Sequence, residues 1–194
     1  KIIKFYPKSK NKSRLSLFFC SLSTLLQPEI TMGHKLPVIS RGGEAIPDTA
    51  LEFIFNYLDN PMDRSAASRV CKKWYNVDGR TRKDITIVLC YSIDPPTLAH
   101  RFSALEALKL KGKPRASMFK LVPEDWGGYA KAWVPVLTVH CPCLKSIHFR
   151  RMVVDDDDLV NIAQGRANML QVLKLDKCSG FSTNGLETVT RSCK

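Results

Sequence analysis

Residues 105–113 read LEALKLKGK, residues 144–152 read LKSIHFRRM and residues 170–178 read LQVLKLDKC. Leu144, Ile147 and Phe149 recur 26 positions later as Leu170, Leu173 and Leu175, and Cys141, Ala167 and Cys193 keep the same interval. The earlier copy, Leu105, Leu108 and Leu110, has the same internal spacing. This is the leucine-rich pattern L-x-x-L-x-L-x-x-C. Such a unit buries its leucines only against a neighbour, so three copies predict the opening of a solenoid. In each L-x-L strand the leucines point into the core and the alternate residues face the concave sheet. Those alternates are Ala107, Lys109 and Lys111, then Ser146, His148 and Arg150, then Val172, Lys174 and Asp176. Strands about 5 Å apart would align Lys109, His148 and Lys174 and set Lys111 beside Arg150, with Arg151 next. Like charges this close repel, and a bound polyanion would neutralise them. Charge alone fits a solvated basic face equally well.

Between the first two copies the spacing lengthens from 26 to 39, so 13 extra residues fall in the stretch Pro114–Tyr129. Loops of this length on a repeat scaffold commonly carry function. Arg115 stands beside Ala116, Met118, Phe119 and Leu121. A guanidinium next to an apolar wall suits a small amphipathic carboxylate, which it can pair bidentately while the wall covers hydrocarbon. The competing reading has Phe119 and Leu121 plugging the end of the solenoid.

Upstream, Ile46, Ala50, Leu51, Ile54, Phe55 and Leu58 fall at helical spacing, with Asp48 able to cap the first turn. Asp59-Asn60-Pro61 breaks that helix. A second helix is predicted over 64–75, capped by Asp63, with Ala66, Val70 and Trp74 on one face. A third over 76–85 leads into a strand at 86–90. Three short helices are near the minimum for an independent core, and would be more stable docked on a partner.

The 194 residues carry a formal charge of +12, but eight basic groups and one acid fall in residues 1–41. The other 153 residues hold 22 basic and 17 acidic groups, a mild excess of five. A general nucleic-acid binder would need that excess clustered, so neither a nucleic-acid nor a membrane partner is expected. Residues 1–41 are predicted to be disordered or a translated leader. Basic residues up to Arg14 precede the apolar run 15–26, which imitates a secretory signal but is too short to span a bilayer. A targeting arm is the alternative. The seven cysteines are odd in number and scattered, which fits reduced intracellular thiols. His140-Cys141-Pro142-Cys143 lacks the second spaced pair a zinc site needs. Lys111-Gly112-Lys113-Pro114 is no phosphate loop, and Asp155–Asp158 lacks the glycine and terminal glutamate of a calcium loop. Helix capping accounts for the acidic run. No metal site is expected, and no nucleophile–base pair suggests catalysis.

The order Ile46-Pro47, Leu51, Asp63-Arg64, Ala66, Val70-Cys71, Lys72-Lys73-Trp74 resembles an F-box. The stretches 111–121 (KGKPRASMFKL), 123–129 (PEDWGGY), 148–152 (HFRRM) and 175–181 (LDKCSGF) are similar to the plant hormone-receptor F-box proteins, and specifically to the coronatine-insensitive jasmonate co-receptor family. The auxin-receptor branch shares KGKP and WGGY but typically carries histidine where this chain has Arg115. The resemblance spans 46–194 and implies a mixed α/β fold, with an F-box over 42–91 and about three leucine-rich repeats, truncated, over 92–194. It also implies a non-catalytic, nuclear (and to a lesser extent cytoplasmic) substrate-recognition subunit of a cullin-based ubiquitin ligase. Its partners would be a Skp-type adaptor with cullin, and JAZ-type repressors captured together with jasmonoyl-isoleucine. By position, the resemblance implies adaptor contacts at Pro47, Leu51, Glu52 and Ile54. Hormone contacts would be Arg115, Ala116, Phe119 and Leu121, and Met118 would touch the repressor. An inositol polyphosphate would sit on Lys109, Lys111, His148, Arg150 and Arg151 as a structural cofactor. The alternatives are an auxin-type receptor, or a basic leucine-rich scaffold for another partner or nucleic acid.

Overall fold

The computed structural model describes residues 2–4, 46–123 and 126–192. Three helices open it: α1 (Asp48–Tyr57), α2 (Pro61–Ala67) and α3 (Lys72–Thr81). Leu51 and Phe55 on α1 and Val77 on α3 form a small buried core, against which Leu58, Ala67 and Trp74 pack. The predicted helix over 64–75 is two helices. Asn60, not Asp63, caps α2 by accepting from the Met62 N–H at 3.0 Å, and Pro61 fills the first position, where no donor is needed. The chain turns at Ser68–Val70 and restarts from an extended Cys71 at φ −161°. Val70 is therefore exposed in the turn, while Trp74 meets the Phe55 ring edge-on at 5.8 Å. Asp48 lies inside the first turn of α1 and pairs with Arg80 and Lys73, drawing α1 onto α3.

The remainder alternates strand and helix: β2 (Asp84–Ile87), α4 (Pro95–Arg101), β3 (Ala107–Lys111), α5 (Val134–His140), β4 (Ser146–Arg150), α6 (Asp156–Arg166), β5 (Val172–Asp176) and α7 (Thr183–Ser192). Strands β2 to β5 are parallel neighbours in chain order. Of residues 1–41, only 2–4 are described; they form β1 (Ile2–Lys4), antiparallel on the free edge of β5. The predicted strand at 86–90 lies earlier, at 84–87, and its pairing with β3 makes it the first of four parallel strands rather than the tail of the helical module.

A repeated hydrogen bond locks each strand to the next. The Lys83 carbonyl accepts from the N–H groups of Glu106 and Ala107, Glu106 from Lys145 and Ser146, and Lys145 from Gln171 and Val172. Leu108 and Leu110, Ile147 and Phe149, and Leu173 and Leu175 then stack inward as buried pairs. Leu98 of α4, Val134 and Leu137 of α5, Leu159 and Ile162 of α6, and Val189 of α7 cover them from the convex side. Each such side chain stabilises the fold by about 1.5–3 kcal/mol. Cys141 is buried in the same core, and the side chains of Asp155 and Asp158 form a reciprocal cap on α6.

The helices join the solenoid through one buried carboxylate. Asp78 is fully buried on α3 and receives Arg64 at 2.7 Å and Arg82 at 3.0 Å, with Arg101 of α4 at 3.8 Å. Arg64 also donates to the Phe55 carbonyl and to Thr81 Oγ1, both at 2.8 Å, so it ties α1, α2 and α3 together. The Arg101 guanidinium lies over the Tyr75 ring, 3.6 Å from its centre. Gly79 lets α3 approach α4, because a Cβ there would sit 2.7 Å from the Arg101 carbonyl oxygen. Removing the charge of Asp78 would leave the arginines without their shared counter-ion. Asp78→Asn should cost about 3–5 kcal/mol in urea unfolding, whereas exposed Asp59→Asn should stay within about 0.5 kcal/mol. A loss below about 1 kcal/mol for Asp78→Asn would show that the junction does not depend on this charge.

Candidate functional site

The ladder aligns the concave side chains in rows. Lys109, His148 and Lys174 are direct register partners, as are Lys111, Arg150 and Asp176. Burial and the neighbouring cations Arg150 and Lys174 hold the Lys109 ammonium below its ordinary pKa. Burial, Lys109, Arg150 and Arg151 do the same to Lys111. Arg151 is likewise lowered by burial, Arg150 and Arg115. The floor is thus a set of cations that raise one another's energy, and an anion would relieve them. Sequence reasoning brought Lys109, Lys111, His148, Arg150 and Arg151 together correctly. It gave no role to Asp176, whose Oδ2 lies 3.2 Å from Arg150 Nε and 4.0 Å from His148 Nε2.

His148 lies at the centre, with its side chain 15% exposed. Burial first, and then Lys109 and Lys174, push its pKa down to about 4. Its Nε2 is buried with no hydrogen-bond partner. The imidazole is therefore neutral near pH 7. Because the unfolded chain binds this proton more readily, His148 makes stability rise with pH from about 4 to about 6.5 and fall on acidification through that window.

Beside the floor, the insertion makes a 3-10 turn at Arg115–Phe119, ending on left-handed Lys120 at φ 57°. The turn is held by the Ser117 hydroxyl on the Pro114 carbonyl at 2.7 Å and by the Leu121 N–H on the Ala116 carbonyl at 3.2 Å. Phe119 and Leu121 are 74% and 75% exposed, so they do not plug the solenoid end. Arg115 is exposed and Ala116 half-buried; the Met118 side chain lies outside the described residues. A cleft of about 510 Å³ opens along Lys113, Ser117, Lys120, Leu121, Val122 and Pro123. A smaller concavity of about 120 Å³ adjoins Lys113, Ser117, Arg151, Met152, Lys177 and Ser179. Lys113 and Lys177 were not anticipated. Lys177 follows β5 directly and Lys113 comes two residues after β3, and the left-handed turn at Arg151 and Lys177 (φ 52° and 55°) repeats after β4 and β5.

The insertion returns to the sheet through Gly128, whose carbonyl accepts from the Val153 N–H at 2.9 Å, and Ala130, whose N–H donates to the Val153 carbonyl. Here two backbones touch. A Cβ on Gly128 would lie 3.0 Å from Gly112 Cα, and one on Gly112 would collide with the Arg151 carbonyl. Gly128 also has φ +80°, which disfavours a side chain.

On the helical module, Pro47 and Ile54 are exposed, and Glu52 is half-exposed, 3.6 Å from Arg80. Leu51 is not available to a partner: it is fully buried against Phe55 and Val77. The uncovered apolar residues are instead Phe53, Ile54, Tyr57, Met62 and Val70, with Tyr57 83% exposed. Phe53 and Tyr57 are four apart on the face of α1 opposite Leu51 and Phe55, and that second apolar stripe was the signal available in the sequence.

Among the described residues there is no group of three or more His, Cys, Asp and Glu placed to hold a metal ion. No helix among them is long and apolar enough to cross a membrane. The apolar run 15–26 lies outside the described residues. The chemistry available on the floor is anion binding, and it is linked to a proton. An anion over His148 should raise its pKa, so NMR titration of the His148 ring should place it at about 4 in the free chain, well below the ordinary 6.5, and shift it upward with polyanion. A free-chain value near 6.5 would contradict this environment.

Comparison with known proteins agrees with this geometry. An F-box model matches residues 43–84, and the model described as the transport inhibitor response 1 protein domain matches residues 103–149. The chain is 52% identical over 153 residues to coronatine-insensitive protein homolog 1b of Oryza sativa subsp. japonica, covering 79% of this chain and 26% of that protein. It is 49% identical over 150 residues to coronatine-insensitive protein 1 of Arabidopsis thaliana, covering 77% of this chain and 25% of that protein. GRR1-like protein 1 of Arabidopsis thaliana is 37% identical over 152 residues, 78% of this chain and 26% of its own length. The chain spans about a quarter of the length of the relatives it matches. With its helical module, its leucine-rich sheet and these matches along most of its length, the chain belongs to the coronatine-insensitive family of F-box, leucine-rich-repeat proteins.

Proposed function

We propose that this chain acts in a substrate-recognition subunit of a cullin-based SCF ubiquitin ligase, as a non-catalytic jasmonate co-receptor in the nucleus. The helical module binds a Skp-type adaptor and through it cullin. The solenoid side takes jasmonoyl-isoleucine together with a JAZ-type repressor. The observation that carries the adaptor role is the bare apolar set Phe53, Ile54, Tyr57, Met62 and Val70 on a module whose own core holds only Leu51, Phe55 and Val77. So small a core beside so much uncovered apolar surface suits a partner that buries it.

On the floor, Lys109, Lys111, His148, Arg150 and Arg151 bind an inositol polyphosphate as a structural cofactor. The mutual destabilisation of these cations supports that reading, since each charge-assisted contact to a phosphate relieves it. Arg115 offers a permanent planar donor fork to the hormone's carboxylate or ketone, and Ala116, Phe119 and Leu121 cover its hydrocarbon. Met118 is assigned to the repressor contact by resemblance alone.

Two experiments test this. In a pull-down with purified Skp-type adaptor, Phe53→Glu/Tyr57→Glu should abolish capture while the thermal midpoint is kept. Wild-type capture by that variant, or no capture by the parent chain, would remove the adaptor role. Leu51→Ala should instead lose about 2–5 kcal/mol of stability, because it empties core volume. In the longer protein, Arg115→Ala should cost hormone-dependent repressor recruitment about 1.5–3 kcal/mol. Unchanged recruitment, or recruitment driven by auxin, would favour the auxin-type alternative. Binding that tolerates any nucleic acid and weakens steeply with salt would favour the basic scaffold.

A further inference from the structure

One acid stands among the cations of the floor. The last two rows of concave side chains are Lys109, His148, Lys174 and Lys111, Arg150, Asp176. The other carboxylate on this face, Asp84, lies opposite Ala107 in the first row, at the far corner next to Glu106. Asp176 is 29% exposed, 3.2 Å from Arg150 Nε and 4.0 Å from His148 Nε2. Arg150 Nε is close but not aligned for a hydrogen bond, so the pair is held by charge alone.

Nothing in the fold requires this carboxylate. The strand end is fastened through backbone, by the Arg151 N–H on the Asp176 carbonyl at 2.9 Å, and that bond survives any change of side chain. Nor does the carboxylate cap a helix. Its surroundings are Lys174 on its own strand, His148 and Arg150 on β4, and Lys109 on β3, which feels its charge. A polyanion laid across the sheet therefore meets attraction over β3 and β4, and on β5 it meets Lys174 in one row and the fixed negative charge of Asp176 in the next. A cation floor without selectivity would have no such corner.

We propose that Asp176 is a specificity-determining residue of the polyphosphate floor, holding Arg150 in place before the ligand arrives and repelling phosphate from the β5 end of its own row. The ligand lies over β3 and β4, centred on Lys109, Lys111, Arg150 and Arg151, and a phosphate that would overhang β5 beside Asp176 is penalised. Highly phosphorylated rings lose more than sparsely phosphorylated ones. The floor thus weighs the arrangement of charge on its ligand and not its total alone. This rests on the reading of the floor as a polyphosphate site.

Calorimetry on the full 194-residue chain, with inositol hexakisphosphate and with an inositol trisphosphate, tests the proposal in wild type, Asp176→Asn and Asp176→Glu. Removing one like charge a few ångströms from a phosphate on a partly exposed surface should tighten hexakisphosphate binding about tenfold in Asp176→Asn. The trisphosphate should gain less, and Asp176→Glu should bind no more tightly than wild type. The gain should shrink as salt shortens the screening length from about 10 Å at 0.1 M to about 3 Å at 1 M. Equal affinity in Asp176→Asn at an unchanged thermal midpoint overturns the proposal. Weaker binding overturns it too, because Asp176 would then serve only to hold Arg150. An equal gain for both ligands overturns the penalty at β5. If wild type binds neither ligand, the floor is not a polyphosphate site; that failure appears in the wild-type titration, before any variant is compared.

Discussion

The in-register parallel ladder constrains everything else in the molecule. Each residue of β3 faces its repeat counterpart on β4, and that residue faces its counterpart on β5. The arrangement stacks leucine on leucine inside and crowds Lys109, Lys111, Arg150 and Lys174 onto one outer face. The two consequences cannot be separated, because a slip of one residue would turn every inward side chain to solvent. The magnitudes decide which effect wins. Six buried Leu, Ile and Phe side chains at about 1.5–3 kcal/mol each outweigh a few like-charge contacts worth about 1–3 kcal/mol each at partly solvated spacing. The core therefore dictates the face, and the face carries an electrostatic load that is available for binding an anion.

The helical module shows the complementary case, of too little core rather than too much charge. Three buried side chains hold α1 to α3, and the surface pairs of Asp48 with Lys73 and Arg80 add little. What orients the module on the solenoid is the arginine cluster around Asp78, where Arg64 comes from α2 and Arg101 from α4. A buried carboxylate shared by several guanidiniums is directional, because each fork must meet an oxygen. An apolar junction would tolerate sliding. The helical module and the cationic sheet are thereby held at one angle.

Much of this was legible in the residues. The 26-residue period located β3, β4 and β5 and the concave rows, since a leucine repeat is a direct statement about pairing. β2 was misplaced because Val88, Leu89 and Cys90 extend its apolar run beyond the alternation of Ile85 and Ile87. The helix over 64–75 was drawn too long because Ala66, Val70 and Trp74 keep a four-residue beat across a turn; backbone at Ser68–Cys71, not side-chain pattern, breaks it. Leu51 was assigned to the surface because α1 is apolar on two faces, and a sequence shows stripes without saying which is covered. Asp176 escaped notice for a related reason: its role depends on which cations flank it, and that is a property of the ladder.

The contact between Gly112 and Gly128 gives the insertion a peculiar kind of anchorage. It is secured by a close approach that only bare backbone allows and by backbone hydrogen bonds, not by side-chain charges that could be titrated or screened. Neither acidity nor ionic strength can loosen such a clasp. The cationic floor a few residues away responds to both. The insertion and its electrostatic neighbour can therefore be tuned separately: substitutions among Arg115, Ala116, Phe119 and Leu121 can change the surface the loop presents while its root stays where two bare backbones meet. Any side chain added at that root would lever the whole loop off the sheet, whatever its lining.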